Sequence, residues 1–371
     1  MKNLAAGALL CATAATAGVS CRVPPPREPE VQGVLDPVHV TASRDDGRLS
    51  IDAYDAGELF HRAAVALRKG SCGEAVAIYE RLAAEFPDSE LVEPALYNTG
   101  LCLDQLGQHR RAAAAYREMI ERFGDSRDVT DALFRLAGSY EELEAWSEAV
   151  EVFDTLLVER PDLEPIERIE ALARKGSALL AAGRTDEARS ALEQATRRYR
   201  LGRGISPTDS VFHYSMAQFK LGEILHRRMR EVELPPGERL LEQKLEEKAR
   251  LLLDAQRLYT KVIRIGHPHW AAAAAYRIGA LYHHLWVDIL SAEPPPELSE
   301  EEREVYEEIL RERIRVLLEK ALTQWERTLE LAIRLGLENE WVEKTNDDID
   351  RIRDILVEER PAEEEDEPTS K

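Results

Sequence analysis

Residues 73–89, GEAVAIYERLAAEFPDS, decide the fold, because the same pattern returns three times further along the chain. It comes back as RRAAAAYREMIERFGDS at 110–126, as SEAVEVFDTLLVERPDL at 147–163 and as DEARSALEQATRRY at 186–199. The small residues Ala75, Ala112, Ala149 and Ala188 fix the shared register, spaced by 37, 37 and 39 residues. Four residues after each stands a large apolar side chain, Tyr79, Tyr116, Phe153 or Leu192. Twelve residues before each stands another small one, Ala63, Gly100, Ala137 or Gly176. Apolar residues three and four apart on both sides of short Gly, Pro or Asp punctuation read as helix, turn, helix. Antiparallel helices approach closely only where side chains are small, so Gly100 facing Ala112, or Gly176 facing Ala188, predicts where a hairpin closes. The large residue then fills the gap to the next hairpin. Gly70, Gly107 and Gly183 fall between first and second helices, where a helix end calls for a left-handed residue.

With the closing prolines Pro87 and Pro161, these positions resemble the tetratricopeptide repeat family. The resemblance implies an all-α protein, a tetratricopeptide-type α-solenoid of about six helical hairpins with a C-terminal capping helix. It also implies a concave groove lined by the first helices and used to hold protein segments. By position, the groove candidates are Phe60, Tyr97, Leu101, Asp104, Phe134 and Glu141, while Tyr140 falls where the family usually buries its residue. Aromatics beside carboxylates suit an extended peptide carrying basic residues. The competing reading of Tyr97 and Phe134 is inter-repeat core.

Outward from residues 55–200, which hold four hairpins, the match weakens while the helical signal persists. A fifth, elongated hairpin is expected over Val211–Arg230 and Arg239–Ile265, interrupted by Leu234-Pro235-Pro236-Gly237. The sixth starts at Trp270 with Gly279, passes Pro294-Pro295-Pro296 and resumes at Glu300–Leu335, with Ser299 as N-cap. A capping helix over Asn339–Leu356 ends the 201–357 region, since a terminal repeat needs a polar outer face. The tail at 358–371, largely PAEEEDEPTSK, cannot bury a core and is expected to be disordered.

At the other end, MKNLAAGALLCATAATAGVSC carries Lys2 and an apolar, small-residue run from Leu4 to Val19, the layout of a signal peptide over 1–20. Gly18-Val19-Ser20-Cys21 resembles a bacterial lipoprotein box, which implies that Cys21 is lipidated; ordinary cleavage near Ala17 or Ser20 is the other reading. Residues 21–54 read as a lipid-anchored flexible tether, mostly irregular apart from the extended-looking run Val38-His39-Val40-Thr41, and stiffened by Pro24, Pro25 and Pro26. Arg22 stands where lipoproteins kept at the inner membrane carry aspartate, so the resemblance implies the periplasmic side of the outer membrane. In that oxidising compartment Cys72 and Cys102 are either a disulfide pair or two independent core thiols. A bond closing about 30 residues would contribute roughly 3 kcal/mol by loop entropy.

The formal charge of −21 repels nucleic-acid phosphates and anionic lipid, so no nucleic-acid partner is expected. No phosphate-cradling loop, serine elbow, HExxH helix or paired CxxC occurs, so neither catalysis nor a cofactor nor a small-molecule substrate is expected. His267, His269, His283 and His284 are the one local histidine cluster, and they support the weaker reading of a periplasmic enzyme or metal-binding protein. The expected function is a non-catalytic scaffold whose partners are other envelope proteins or peptide segments, with membrane contact through the N-terminal lipid. Over 55–200 the layout is similar to the tetratricopeptide lipoproteins of the outer-membrane β-barrel assembly machinery. A scaffold for gliding motility, secretion or cell-wall coordination is the alternative.

Overall fold

The computed structural model describes residues 37–45, 48–202, 211–236 and 238–358. The signal segment, Cys21, the first part of the tether and the acidic tail from 359 lie outside the described residues. Thirteen helices occur among those described, in two compact units divided inside one helix, at Leu221/Gly222.

The first unit opens with a feature that the reading of 21–54 as a flexible tether missed. Strands β1 (His39–Asp45) and β2 (Arg48–Tyr54) pair antiparallel, His39 opposite Tyr54. Both are short and alternate apolar with polar residues, Val40 and Ala42 in β1 and Leu49, Ile51 and Ala53 in β2, and the sequence between them contains Asp46-Gly47, a pair favoured in tight hairpin connections. A lone two-stranded ribbon is marginal in water. This one is seated: Tyr54 is buried and donates its hydroxyl to Glu85 Oε2 at 2.6 Å, and the His39 ring lies 4.6 Å from that of Phe86.

Four helical hairpins follow. They are α1 (Ala56–Arg68) with α2 (Cys72–Glu85), α3 (Val92–Gln105) with α4 (His109–Arg122), α5 (Val129–Glu142) with α6 (Trp146–Glu159), and α7 (Pro165–Ala181) with α8 (Thr185–Leu201). Asp55 caps α1, its carboxylate accepting from Glu58 N at 2.8 Å. Each second helix buries one stripe; in α4 it is Ala112, Ala113, Ala115, Tyr116 and Met119, leaving the arginines outside.

Hairpin closure is tighter than small-on-small packing. A Cβ at Gly100 would stand 2.5 Å from the Tyr116 ring, and one at Gly176 would stand 2.6 Å from Leu192 Cγ. The small residue thus makes room for the large residue of its own hairpin, which the sequence reading had assigned to the next gap. Between the two helices, Gly70, Gly107 and Gly183 take positive φ. The third hairpin puts Glu144 there, at φ 54°.

The second unit begins within α9 (Val211–Glu231) and contains α10 (Glu238–Ile265), α11 (Pro268–Leu290), α12 (Glu300–Leu335) and α13 (Glu340–Glu358). The same closure recurs at longer range, with Gly222 under Tyr259 and Gly279 under Trp325. Trp325 is fully buried and donates Nε1 to Tyr276 O at 2.9 Å. Ser299 and Glu302 form a reciprocal capping box at the start of α12, and Gly336 ends it at φ 61°. Helix α13 covers α11 and α12 with Ile349 and Ile352. The fold class is therefore all-α, of the tetratricopeptide-solenoid type, with a final helix beyond the hairpins.

Candidate functional site

The residues proposed to line a groove divide between the core and a half-exposed strip of the first unit. Phe60, Tyr97 and Leu101 are only 6%, 1% and 8% exposed, so they are inter-helix core and cannot serve as open groove surface. Phe60 meets Tyr79 edge-on at 5.5 Å and Tyr97 meets Tyr116 at 6.1 Å. These positions sit one turn before the small residue of each hairpin, where the aromatic of the second helix crosses, and burial of both rings closes the hairpin. Tyr140 is buried, as its repeat position implied.

Asp104, Phe134 and Glu141 are half-buried on the first-helix face. Both carboxylates are engaged. Asp104 accepts from Tyr116 Oη at 3.1 Å and from Ser139 Oγ at 2.9 Å, and lies 3.1 Å from His109 Nδ1. Glu141 receives the Arg174 guanidinium at 2.7 Å, and Arg174 also bonds Glu170 at 3.0 Å. The Arg174 guanidinium lies 6.0 Å from the centre of the Phe134 ring and 5.1 Å from that of Phe153. Burial alone would lower its pKa, but Glu141 and then Glu170 hold it above the ordinary value.

Two further links complete the strip. The Tyr97 hydroxyl, held in the core, donates to Asp131, and burial followed by that carboxylate pushes its pKa up to about 12. Glu170 lies 3.8 Å from His213 of α9. Each link joins one hairpin to the next: α3 to α5, α5 to α7, α7 to α9. Phe134, Gly138 and Arg174 are each partly exposed on this face, and a Cβ at Gly138 would stand 3.4 Å from Arg174 Nη2. Carboxylates outnumber guanidiniums around this floor, which favours a cationic or hydrogen-bonding segment over an anionic one.

Sequence reasoning missed Asp131, Ser139, Glu170, Arg174 and His213. A signal was present: Asp131 and Arg135 recur as Glu170 and Arg174, an acid followed four residues later by arginine at the same repeat position, 39 residues apart.

Cys72 and Cys102 are buried free thiols here rather than a disulfide. Cys72 Sγ donates to Gln105 Oε1 at 2.9 Å, and burial, with Cys72 adjacent, raises the Cys102 pKa well above its ordinary value. The pair His267 and His269 does not meet the pair His283 and His284. His267 and His269 stand at the start of α11, while His283 and His284 lie 14 residues on from His269, about 21 Å along the helix. Among the described residues no group of three or more metal-ligating side chains comes together, and no helix is long and apolar enough to cross a membrane.

The hairpins with small residues under large ones define a class, the helical-repeat proteins that present a face of successive first helices. The repeats are tetratricopeptide repeats: one family model of that description matches residues 97–164 and 173–231, and another matches 59–89. No curated protein matches the sequence. Solved structures similar to it include the C-terminal part of a TPR repeat-containing protein from Cytophaga hutchinsonii, with 10% identity, 81% of this chain and 99% of that one covered, and a TM-score of 0.45. A tetratricopeptide repeat protein from Parabacteroides merdae shows 15% identity over 80% of this chain and 98% of its own, with a TM-score of 0.38.

Proposed function

We propose that this chain is a non-catalytic protein-binding scaffold of a bacterial envelope complex, held by a lipid on Cys21 at the periplasmic side of the outer membrane. The observation that carries the binding role is the strip along α3, α5 and α7. There the partly buried Phe134 and Arg174 lie on one face with Gly138, between carboxylates already oriented by internal bonds. Such a surface costs little to organise on binding, because its charged side chains are fixed before a partner arrives. The anchoring part of the proposal rests on the signal-like N-terminus and the box ending at Cys21.

The test is affinity purification from detergent-solubilised envelopes, with partners identified by mass spectrometry, for the native sequence, Cys21→Ser and Phe134→Glu. The scaffold reading expects a defined partner set that Phe134→Glu depletes and loss of membrane partition in Cys21→Ser. Recovery of the barrel insertase would identify the complex as outer-membrane protein assembly, and a motility, secretion or wall-associated set would place the same scaffold there. An unchanged partner set in Phe134→Glu would overturn the assignment of this face, and unchanged partition in Cys21→Ser would overturn the anchor.

A further inference from the structure

The first half of α12 contributes no buried residue to its own unit. Ile314 is the most N-terminal α12 residue packed on the unit's core, and Arg315 bonds Leu356 O near the end of α13 at 3.4 Å. The preceding Glu300–Arg313 is about 21 Å of helix in which no residue is buried. Val305 and Ile309 within it, and Val316 just beyond it, are 55%, 46% and 48% exposed, at spacings that keep them near one stripe. An isolated stretch of this length is marginal as a helix in water, so a segment that buries its stripe is stabilised by a partner.

The charge pattern names that partner. Residues 300–308 carry six glutamates against one arginine, and residues 309–316 carry three arginines against one glutamate. A parallel neighbour would set like on like. A second copy running antiparallel, related by a two-fold axis near residue 310, sets each acidic half on a basic half twice over and brings Val305 toward Val316 across the axis. The intrahelical pair Arg311–Glu307 at 3.5 Å is exposed on both sides and competes only weakly with such contacts. We infer that the chain self-associates through Glu300–Val316 of α12, pairing antiparallel with the same segment of a second copy.

Light-scattering mass measurement on the full chain in mild detergent tests this, with two charge-reversed forms, Glu304→Lys/Glu308→Lys and Arg311→Glu/Arg313→Glu. Expected are twice the monomer mass for the native sequence, monomer for each reversed form alone, and recovery of the doubled mass when the two are mixed. Ile309→Glu, with helix content checked by circular dichroism, is expected to be monomeric as well. A native chain that stays monomeric at about 100 μM, weaker than most specific associations, overturns the inference. So do reversed forms that remain dimeric, or a mixture that does not pair.

Discussion

His226 of α9 and His284 of α11 hold each other across 2.8 Å, Nε2 to Nδ1, inside the second unit. One ring must donate and the other accept, so the two cannot both be charged. Burial pushes each pKa down to about 3; Arg277 and Arg230 add to this at His226, and His226 itself adds most at His284. The facing carboxylate Glu223 is engaged with Arg277 at 2.8 Å. The unfolded chain takes up protons below the ordinary value of 6.5 and the folded chain does not, so stability is lost as pH falls from 6.5 toward 3. At pH 5 the loss is on the order of 2 kcal/mol per histidine. Urea unfolding followed by tryptophan fluorescence reads this unit, since Trp270, Trp286, Trp325 and Trp341 all lie in it. His226→Gln/His284→Gln is expected to flatten the dependence between pH 7 and 5, and an equal slope in that variant would refute the assignment.

Gly100→Ala tests the closure of a hairpin. The added methyl meets the Tyr116 ring at 2.5 Å, and Tyr116 is fully buried with nowhere to move. The expected cost is about 1–3 kcal/mol of overpacking strain. Gly73→Ala, also helical but with nothing within 4 Å, is the control and is expected to stabilise by about 0.4–1 kcal/mol. Thermal melts of the two variants should move in opposite directions.

The contrast between Gly100 and Phe60 shows what the sequence could carry. Small residues twelve before Ala75, Ala112 and Ala188 are legible because close approach leaves no chemical alternative. The hairpins and their turns follow from them. Exposure is not legible in the same way: Phe60, Tyr97 and Phe134 share a repeat position, yet only Phe134 is half exposed. The difference lies in what crosses from the neighbouring helix, a tertiary fact absent from the local pattern. The hairpin β1–β2 was hidden for a related reason, since its stability comes from the seat that Glu85 and Phe86 provide.

Glu144 occupies the turn position that glycine holds in the other three hairpins, at φ 54°. A side chain in that conformation costs about 1–2 kcal/mol, offset in part by the lower chain entropy of a non-glycine residue when unfolded. Glu144→Gly is expected to raise stability by roughly 0.5–1 kcal/mol and Glu144→Asn by less. A drop in midpoint for Glu144→Gly would mean that the carboxylate makes a contact worth more than the strain.

Arg174 ties α5 to α7, and its removal leaves Glu141 and Glu170 facing each other on a half-buried surface. Arg174→Ala is expected to cost about 1–3 kcal/mol. Arg174→Lys should recover little of this, because a point charge cannot serve two carboxylates and the Phe134 face as a planar fork does. In a double-mutant cycle with Glu141→Gln the coupling should be near 1 kcal/mol and should shrink in high salt. Additive effects would show that the bond contributes geometry without stability.

Lys248 is 1% exposed, and its ammonium is held by Asp288 Oδ2 and Met229 O, each at 2.7 Å, so one cation joins α9, α10 and α11. A buried pair of this kind gains little over an apolar contact, because desolvation of both charges offsets their attraction, yet breaking it from one side strands the other charge. Asp288→Ala is therefore expected to cost about 3–5 kcal/mol. Lys248→Met strands a carboxylate that is itself partly exposed and should cost less. The double substitution Lys248→Met/Asp288→Leu removes both charges and should return to within about 1–2 kcal/mol of the native chain. If the double variant is as unstable as Asp288→Ala alone, the hydrogen bond to Met229 O, rather than charge pairing, holds the end of α9 in place.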